Sequence, residues 1–280
     1  MNYRHSYHAG NHADVFKHAI LLRMLQLMQR KETPLCYLDS HAGTALYDLA
    51  GEQANKTGEY SEGIGRLWQH ADLPALLADY RAAIARHNPD GQLRLYPGSP
   101  QLMADALREQ DRMILSELHP EDADVLKAHF AGQDAIAVHQ RDGYELGKAF
   151  LPVTEKRALW LLDPPFERGD DLERCLQAID TGLQRMRQTV VALWYPIKDT
   201  RALKGFYQQV AARDWPKALR VELNVRPADT TLGLNGSGLM LVNPPWPLWE
   251  ELDNLLPWLS EHLAQAPGAN WRMDWLVGGP

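Results

Sequence analysis

The chain has little cysteine and no long apolar run, and each scarcity excludes a class of protein. Its two cysteines, Cys36 and Cys175, are distant in sequence and form no metal-binding motif, which favours buried free thiols in a reducing cytoplasm. No apolar stretch is long enough to cross a bilayer, and the polar, histidine-rich N-terminus is unlike a signal peptide. At 280 residues the chain can bury a sizeable core. We therefore expect a cytoplasmic protein.

An excess of positive charge is also missing. The net charge of −7 argues against a generic polyanion binder, because such binding relies on displaced counterions. The N-terminal 31 residues are the exception, since they carry five Lys and Arg side chains against a single acid, Asp14. This asymmetry is compatible with a selective RNA enzyme that has a local basic surface.

Four short apolar runs, at 35–38, 113–116, 135–138 and 158–162, read as buried strands of an α/β sheet. Polar side chains follow each run. In chain order they are Asp39 with His41, then Glu117, Asp142 and Asp163. Because the carboxyl ends of parallel strands meet at one edge of a sheet, we expect these side chains to surround one pocket.

The turn after the first run contains one glycine, Gly43, and no GxGxxG fingerprint. The main sequence signal for a cofactor with a pyrophosphate is therefore missing. A carboxylate at the second strand end, Glu117, can accept hydrogen bonds from both hydroxyls of a ribose. Asp142 can accept one from an adenine amino group, and Gly143 allows a close approach. The pattern favours a nucleoside cofactor without phosphate.

The peptide Asp163-Pro164-Pro165-Phe166 follows the fourth run directly. A carboxylate at a strand end can accept a hydrogen bond from an amine, and Pro164 has no N–H beside its carbonyl. Phe166 can stack on a planar base. These are the groups that methylation of an exocyclic amino group requires. A plain Asp-Pro-Pro turn is the alternative, and the acids at the other strand ends favour the catalytic interpretation.

Two other patterns suggest a second methylation motif and a metal site, but the sequence supports each of them less strongly. Asn243-Pro244-Pro245-Trp246 fits the same methylation motif, but it follows the last predicted strand, so we interpret it as a rigid strand exit. A zinc site is suggested by the N-terminal histidines, yet the chain has no His-Glu-x-x-His pattern and the cysteines are remote. These histidines are His5, His8, His12 and His18. We expect no metal.

Strands and helices alternate along the chain, which favours a doubly wound, mainly parallel sheet with an antiparallel edge. We predict a methyltransferase-type domain over 1–47 and 95–280, with a small helical subdomain inserted at 48–94. A broad apolar face predicts a helix over 14–29, and a further helix is predicted over 102–110, before the second strand.

Five segments resemble the bacterial adenine-N6 methyltransferases of large-subunit (23S) ribosomal RNA, within the class I S-adenosylmethionine-dependent methyltransferases. They are YRHSYHAGNHADVFKH at 3–18, YLDSHAG at 37–43, YPGSP at 96–100, ELHP at 117–120 and ALWYP at 192–196. The resemblance spans essentially the whole chain. It implies a Rossmann-like, seven-stranded fold and a monomeric enzyme with S-adenosylmethionine as methyl donor and 23S ribosomal RNA as substrate, with no membrane and no obligate protein partner.

The resemblance also implies site residues. The implied cofactor contacts are Lys17, His18, His41, Ser99, Glu117, Asp142, Gly143 and Asp163. Lys17 and His18 are expected near the carboxylate of the donor. Tyr3 is expected to contact the RNA. The chain departs from the family at Phe166, where tyrosine is typical, so the stacking face is retained and the hydroxyl is lost.

Three alternatives remain open at this point. A DNA adenine methyltransferase would use the same chemistry, although the chain lacks a large target-recognition domain. A non-catalytic RNA-binding module on the same fold would bind RNA without binding the donor. A metal-dependent hydrolase would require bound metal.

Overall fold

The computed structural model describes residues 4–227 and 233–279. The strands are β1 (Cys36–Asp39), β2 (Leu46–Asp48), β3 (Leu95–Pro97), β4 (Arg112–Glu117), β5 (Ile136–Gln140), β6 (Ala158–Leu162), β7 (Val190–Ile197), β8 (Ala218–Asn224), β9 (Gly236–Val242) and β10 (Asn270–Val277). The helices are α1 (His12–Gln29), α2 (Glu52–Thr57), α3 (Ile64–Trp68), α4 (Ala75–Ala85), α5 (Ser99–Ala104), α6 (Pro120–His129), α7 (Leu146–Phe150), α8 (Asp171–Arg185), α9 (Thr200–Ala211) and α10 (Leu248–His262). Short 3-10 turns cover His5–Tyr7, Glu59–Glu62 and Gly143–Glu145.

One eight-stranded sheet organises the fold, in the order β10-β8-β9-β7-β6-β1-β4-β5. The pairs from β5 to β7 are parallel, and the β7–β9, β9–β8 and β8–β10 pairs are antiparallel. The predicted α/β class, with a mainly parallel Rossmann-like sheet and an antiparallel edge, is confirmed. The predicted count of seven strands is wrong, because β10 adds an eighth strand beside β8, where Asp274 pairs with Arg220.

The parallel half of the sheet brings three predicted site acids to one edge. Strand β1 lies between β4 and β6, and Asp39 is in register with Leu115 and Leu161. Glu117 ends β4, and Asp163 follows β6 directly. These strands are buried along most of their length, and the first carboxylate of each lies where the strand ends.

Helix α1 is buried on nearly all sides, which exceeds the broad apolar face predicted for 14–29. It contacts α4 and α5 on one side and β9 and α10 on another. Its N-terminus is capped by Asn11, whose side chain accepts a hydrogen bond from the Asp14 backbone N–H at 3.0 Å. This enclosure buries four polar side chains of its first turns, His12, Asp14, Lys17 and His18.

Residues 49–94 run between β2 and β3, which pair as a separate antiparallel ribbon. They contain α2, α3 and α4, and α4 packs on α1. The helix predicted over 102–110 is displaced: α5 begins at Ser99 and ends at Ala104, with Pro100 in its first turn. Among the described residues, no helix is both long and apolar enough to cross a membrane.

Strand β6, which leads to Asp163, is positioned by a large side chain between two glycines. Trp160 is fully buried. A Cβ added at Gly147 or Gly182 would lie 2.6 or 2.7 Å from its ring. Both helices α7 and α8 therefore approach the indole as closely as a glycine allows.

We expect Gly182→Ala to destabilise the protein by about 1–3 kcal/mol, because the added methyl overpacks a fixed indole. Gly205→Ala is the matched control: Gly205 lies inside helix α9, and its Cβ would meet nothing within 4 Å. The control should gain up to about 1 kcal/mol from helix propensity. Urea unfolding of both variants provides the comparison, and equal stability of the two would contradict this packing argument.

Candidate active site

A cavity of about 440 Å³ opens at the carboxyl edge of the parallel strands. This volume lies within the range of small-molecule and cofactor sites. Eight of the predicted site residues line it. They are Lys17, His18, His41, Ser99, Glu117, Asp163, Pro164 and Phe166. The fold thus brings residues from the N-terminal helix, three strand ends and the first residue of α5 around a single cavity.

The ammonium of Lys17 is shared by two carboxylates. Its Nζ donates to Asp163 Oδ2 at 2.5 Å and lies 3.1 Å from Asp14 Oδ1, while Lys17 is only 3% exposed. Burial alone would lower the pKa of Lys17, but the charges of Asp163 and Asp14 outweigh it and raise that pKa above its ordinary value. Lys17 is therefore protonated, and it fixes the Asp163 carboxylate from below the cavity.

Asp14 was not among the predicted site residues, yet it organises the N-terminal segment. Its Oδ2 accepts a hydrogen bond from the Gly10 backbone N–H at 2.9 Å and lies 3.0 Å from His5 Nε2. Burial raises the pKa of Asp14, but the charges of His5 and Lys17 hold it well below its ordinary value. The segment that precedes α1 is thereby tied to the same charge cluster as Asp163.

His18 faces a buried hydrogen-bonded chain. Its Nδ1 lies 2.8 Å from Tyr96 Oη, which lies 2.7 Å from Tyr80 Oη on α4. Burial lowers the pKa of His18 to about 3, so the imidazole is neutral at pH 7. This chain joins residues 48–94 to α1.

Asp39 supports the site from beneath. Its Oδ2 accepts hydrogen bonds from Tyr37 Oη at 2.8 Å and Ser99 Oγ at 2.7 Å. Burial raises the pKa of Asp39 to about 6. The adjacent His41 lines the cavity, and burial lowers its pKa to about 4, so its ring is also neutral.

Glu117 presents a carboxylate held by two backbone donors. Its Oε2 accepts from Gly43 N–H at 2.9 Å, and its Oε1 accepts from His119 N–H at 2.8 Å. Each oxygen keeps a second lone pair for a ligand. Burial raises the pKa of Glu117.

Asp142 and Gly143 lie behind His41 rather than in the cavity lining given above. Asp142 accepts a hydrogen bond from the Tyr144 backbone N–H at 3.1 Å and pairs with Arg174 at 2.8 Å. A Cβ at Gly143 would lie 1.9 Å from the Ser40 carbonyl oxygen, so this position needs glycine for packing against the first turn. Tyr3, the predicted RNA contact, lies outside the described residues.

The proline motif after β6 has an unusual backbone. Phe166 adopts φ +49°, in the left-handed region that non-glycine residues rarely occupy. Its ring meets Trp194 edge-on, with centroids 5.6 Å apart, and Trp194 also lines the cavity. Strain of this kind is concentrated at functional sites.

The second proline motif is elsewhere. Strand β9 runs antiparallel to β7, with Val242 opposite Val191, so Asn243 emerges at the opposite edge of the sheet. The Asn243 amide donates to the carbonyls of Arg187 and Thr189, both at 2.9 Å. This placement agrees with the interpretation as a rigid strand exit. Within residues 4–227 and 233–279, no group of three or more His, Cys, Asp or Glu side chains is placed to hold a metal ion.

We expect Lys17→Met to destabilise the protein by about 3–5 kcal/mol near neutral pH, because it leaves the buried Asp14 and the partly buried Asp163 without their cation. The depressed pKa of Asp14 means that the wild type keeps this stabilisation above the ordinary pKa of Asp14 and loses it as pH falls through the depressed value. Without Lys17 the pKa of Asp14 rises, so the deficit should shrink between about pH 7 and about pH 5.

Urea unfolding at both pH values measures this effect. Lys31→Met, at an exposed lysine just after α1, is the matched control and should change little. Asp14→Asn combined with Lys17→Met should recover part of the loss. A Lys17→Met deficit that is absent, or the same at both pH values, would contradict the shared-charge description.

Comparison with known proteins identifies the family of the chain. A family model described as ribosomal RNA large subunit methyltransferase D, RlmJ, matches residues 32–277. Ribosomal RNA large subunit methyltransferase J of Escherichia coli K12 is 41% identical over 277 residues, and the protein of that name from Haemophilus influenzae is 40% identical over 278 residues. Each alignment covers 99% of both chains.

A crystal structure of a Legionella pneumophila protein has a TM-score of 0.88 and 33% identity, and the match covers 95% of this chain and 98% of that one. The overall fold is therefore that of an experimentally determined structure. On the family match and the two full-length relatives, the chain belongs to the RlmJ family of large-subunit ribosomal RNA methyltransferases.

Proposed function

We propose that the protein transfers a methyl group from S-adenosylmethionine to the N6 amino group of an adenosine in 23S ribosomal RNA. The observation that carries this proposal is the meeting of Asp163, Pro164 and Phe166 with Glu117 in one cavity at the carboxyl edge of the sheet. The relatives' names supply the substrate class, large-subunit ribosomal RNA. The N6 position comes from the chemistry of the proline motif.

The residues of the cavity fit S-adenosylmethionine by their chemistry. The donor carries a nucleoside, a sulfonium and an amino-acid end, and the cavity offers carboxylates at Glu117 and Asp163 together with the ammonium of Lys17. Glu117, with a free lone pair on each oxygen, would hold the ribose hydroxyls. Ser99 and His41 would line the nucleoside and amino-acid regions. The donor supplies an electrophilic methyl group on sulfur.

Asp142 and Gly143 would act on the adenine end less directly than expected. Asp142 is engaged by Arg174 and Tyr144, and Gly143 supports the turn that contains His41. We propose that both shape this end of the site. His18 would line the cofactor site with a neutral ring. Lys17 donates to Asp163, so any contact between Lys17 and the donor's carboxylate would be secondary to that ion pair.

The target amine is a weak nucleophile, because its lone pair is delocalised into the adenine ring. Asp163 and the Pro164 carbonyl would accept its two hydrogens, which favours a tetrahedral nitrogen with its lone pair free. Such placement and electrostatic preorganisation supply most of the rate gain. Phe166, braced by Trp194, would stack on the base, worth about 1–3 kcal/mol. A paired adenosine would first have to leave its stack.

Lys17 would orient the Asp163 carboxylate without consuming all of its lone pairs. The Nζ contact is to Oδ2, so Oδ1 can accept from the amine. Asp14 would hold Lys17 when the amine competes for Asp163. Tyr3 would contact the RNA. The expected basic surface of the N-terminal segment is largely neutralised, because Arg4 pairs with Glu121 and Asp122 and Arg23 pairs with Glu251. We further propose that the enzyme acts in the cytoplasm as a monomer, without an obligate protein partner.

The direct test is methyl transfer from labelled S-adenosylmethionine to unmodified 23S ribosomal RNA, with nucleoside analysis of the product. Small-subunit ribosomal RNA and duplex DNA are tested alongside as control substrates. We expect N6-methyladenosine in the 23S RNA alone. Label in the DNA would favour a DNA adenine methyltransferase, and donor binding without transfer to any nucleic acid would overturn the proposed substrate.

Asp163→Asn should keep donor affinity but reduce turnover by about 10²–10³-fold, since an amide cannot supply the carboxylate's charge or both of its acceptors. Calorimetric donor binding and single-turnover methyl transfer separate the two effects. Asp170→Asn, at an exposed acid four residues after Phe166, is the control and should retain wild-type turnover. Turnover of Asp163→Asn at the wild-type rate would remove Asp163 from the chemistry.

A further inference from the structure

A groove of about 310 Å³ lies at the edge of the sheet opposite the active site. It is built by the second proline motif, the start of α10 and strand β10. Trp249 and Trp275 stack within it, with ring centroids 5.7 Å apart and an interplanar angle of 15°. Neither the proposed methyl transfer nor the cofactor uses this surface.

Trp246, at the rim of the groove, is 72% exposed, yet its position is constrained. It is flanked by Pro245 and Pro247, and both amide hydrogen bonds of Asn243 hold the start of the turn. Proline fixes φ, so the indole stands on a turn with little freedom. A restricted backbone removes part of the entropy that binding would cost, so the exposed indole is partly preorganised for stacking.

A cation accompanies these rings. Lys217 Nζ lies 5.9 Å from the ring centroids of both Trp246 and Trp275. Within the described ranges, no carboxylate lies at ion-pair distance from Lys217. Glu250 also lines the groove, at its α10 side. The groove thus combines a stacking platform with an ammonium whose charge is uncompensated by a salt bridge.

We propose that this groove binds an unpaired nucleotide of the RNA substrate, with the base on Trp246 and a phosphate near Lys217. Aromatic stacking combined with a cation for the backbone is how proteins hold single-stranded nucleic acid. An apolar peptide would use the rings but would bury the Lys217 ammonium without a partner, which is costly. A second copy of the chain, related by a two-fold axis, would bring the two Lys217 side chains close together.

This inference rests on the proposed function for the identity of the RNA, and it adds a contact remote from the methylated adenosine. Because the groove and the cavity lie at opposite edges of the sheet, a short stem-loop that fills the active site does not extend to Trp246. Only a longer RNA would engage both. The groove would therefore select for RNA length and for an unpaired nucleotide outside the target stem.

The test compares Trp246→Ala with Trp246→Phe, which retains a stacking ring. The probes are a long 23S ribosomal RNA transcript and a short stem-loop that contains the methylated adenosine. We expect Trp246→Ala to weaken binding of the long transcript by about 5- to 150-fold. Trp246→Phe should retain most of the wild-type affinity. Methyl transfer to the short stem-loop should remain unchanged in both variants.

Lys217→Gln should lower the salt dependence of long-transcript binding by about one counterion. A uridine oligonucleotide that stacks on Trp246 should quench its fluorescence. The difference in quenching between wild type and Trp246→Phe measures binding in the groove even if no RNA is methylated. Wild-type affinity of Trp246→Ala for the long transcript would overturn the proposal. So would concentration-dependent self-association that Trp246→Ala abolishes, since the groove would then be a protein interface.

Discussion

The ammonium of Lys17, enclosed between Asp14 and Asp163, is the interaction on which the rest of the site depends. A buried charge is tolerated only when it is paired, and here one cation compensates two carboxylates from distant parts of the chain. The pairing fixes helix α1 against the end of β6. It also accounts for the polar first turns of the nearly enclosed helix α1, which face the cavity rather than solvent.

Two proline motifs with similar sequences serve different ends because their surroundings differ. At the carboxyl edge, Asp163 meets a cation, and the backbone strain falls on Phe166. At the opposite edge, Asn243 itself adopts the left-handed conformation, and its side-chain amide donates hydrogen bonds to backbone carbonyls. The first motif leaves a carboxylate lone pair facing a cavity, whereas the second leaves an indole facing solvent. The position of each motif in the sheet, rather than its four-residue sequence, therefore decides which groups it presents.

Local patterns were sufficient to predict the strand ends. Asp39, Glu117 and Asp163 each follow a short apolar run, and parallel strands must bring such ends together. The contact between Lys17 and Asp163 could not be predicted in this way, since 146 positions separate them and no periodicity links them. Strands β2 and β3 are three residues each, too short for a pattern. Strand β10 carries a recognisable signal, because Trp271, Met273 and Trp275 alternate with the charged residues Arg272 and Asp274.

The protonation state of Lys17 tests the shared-charge description most directly. Nitrogen-15 NMR of the lysine ammonium groups, with Lys17 assigned through Lys17→Met, follows each side chain through its titration. At about pH 10.4, where ordinary lysines are half neutral, we expect Lys17 to remain protonated because Asp163 and Asp14 raise its pKa. A Lys17 that loses its proton at or below that pH would contradict the account, since neither carboxylate would then be held by a buried cation.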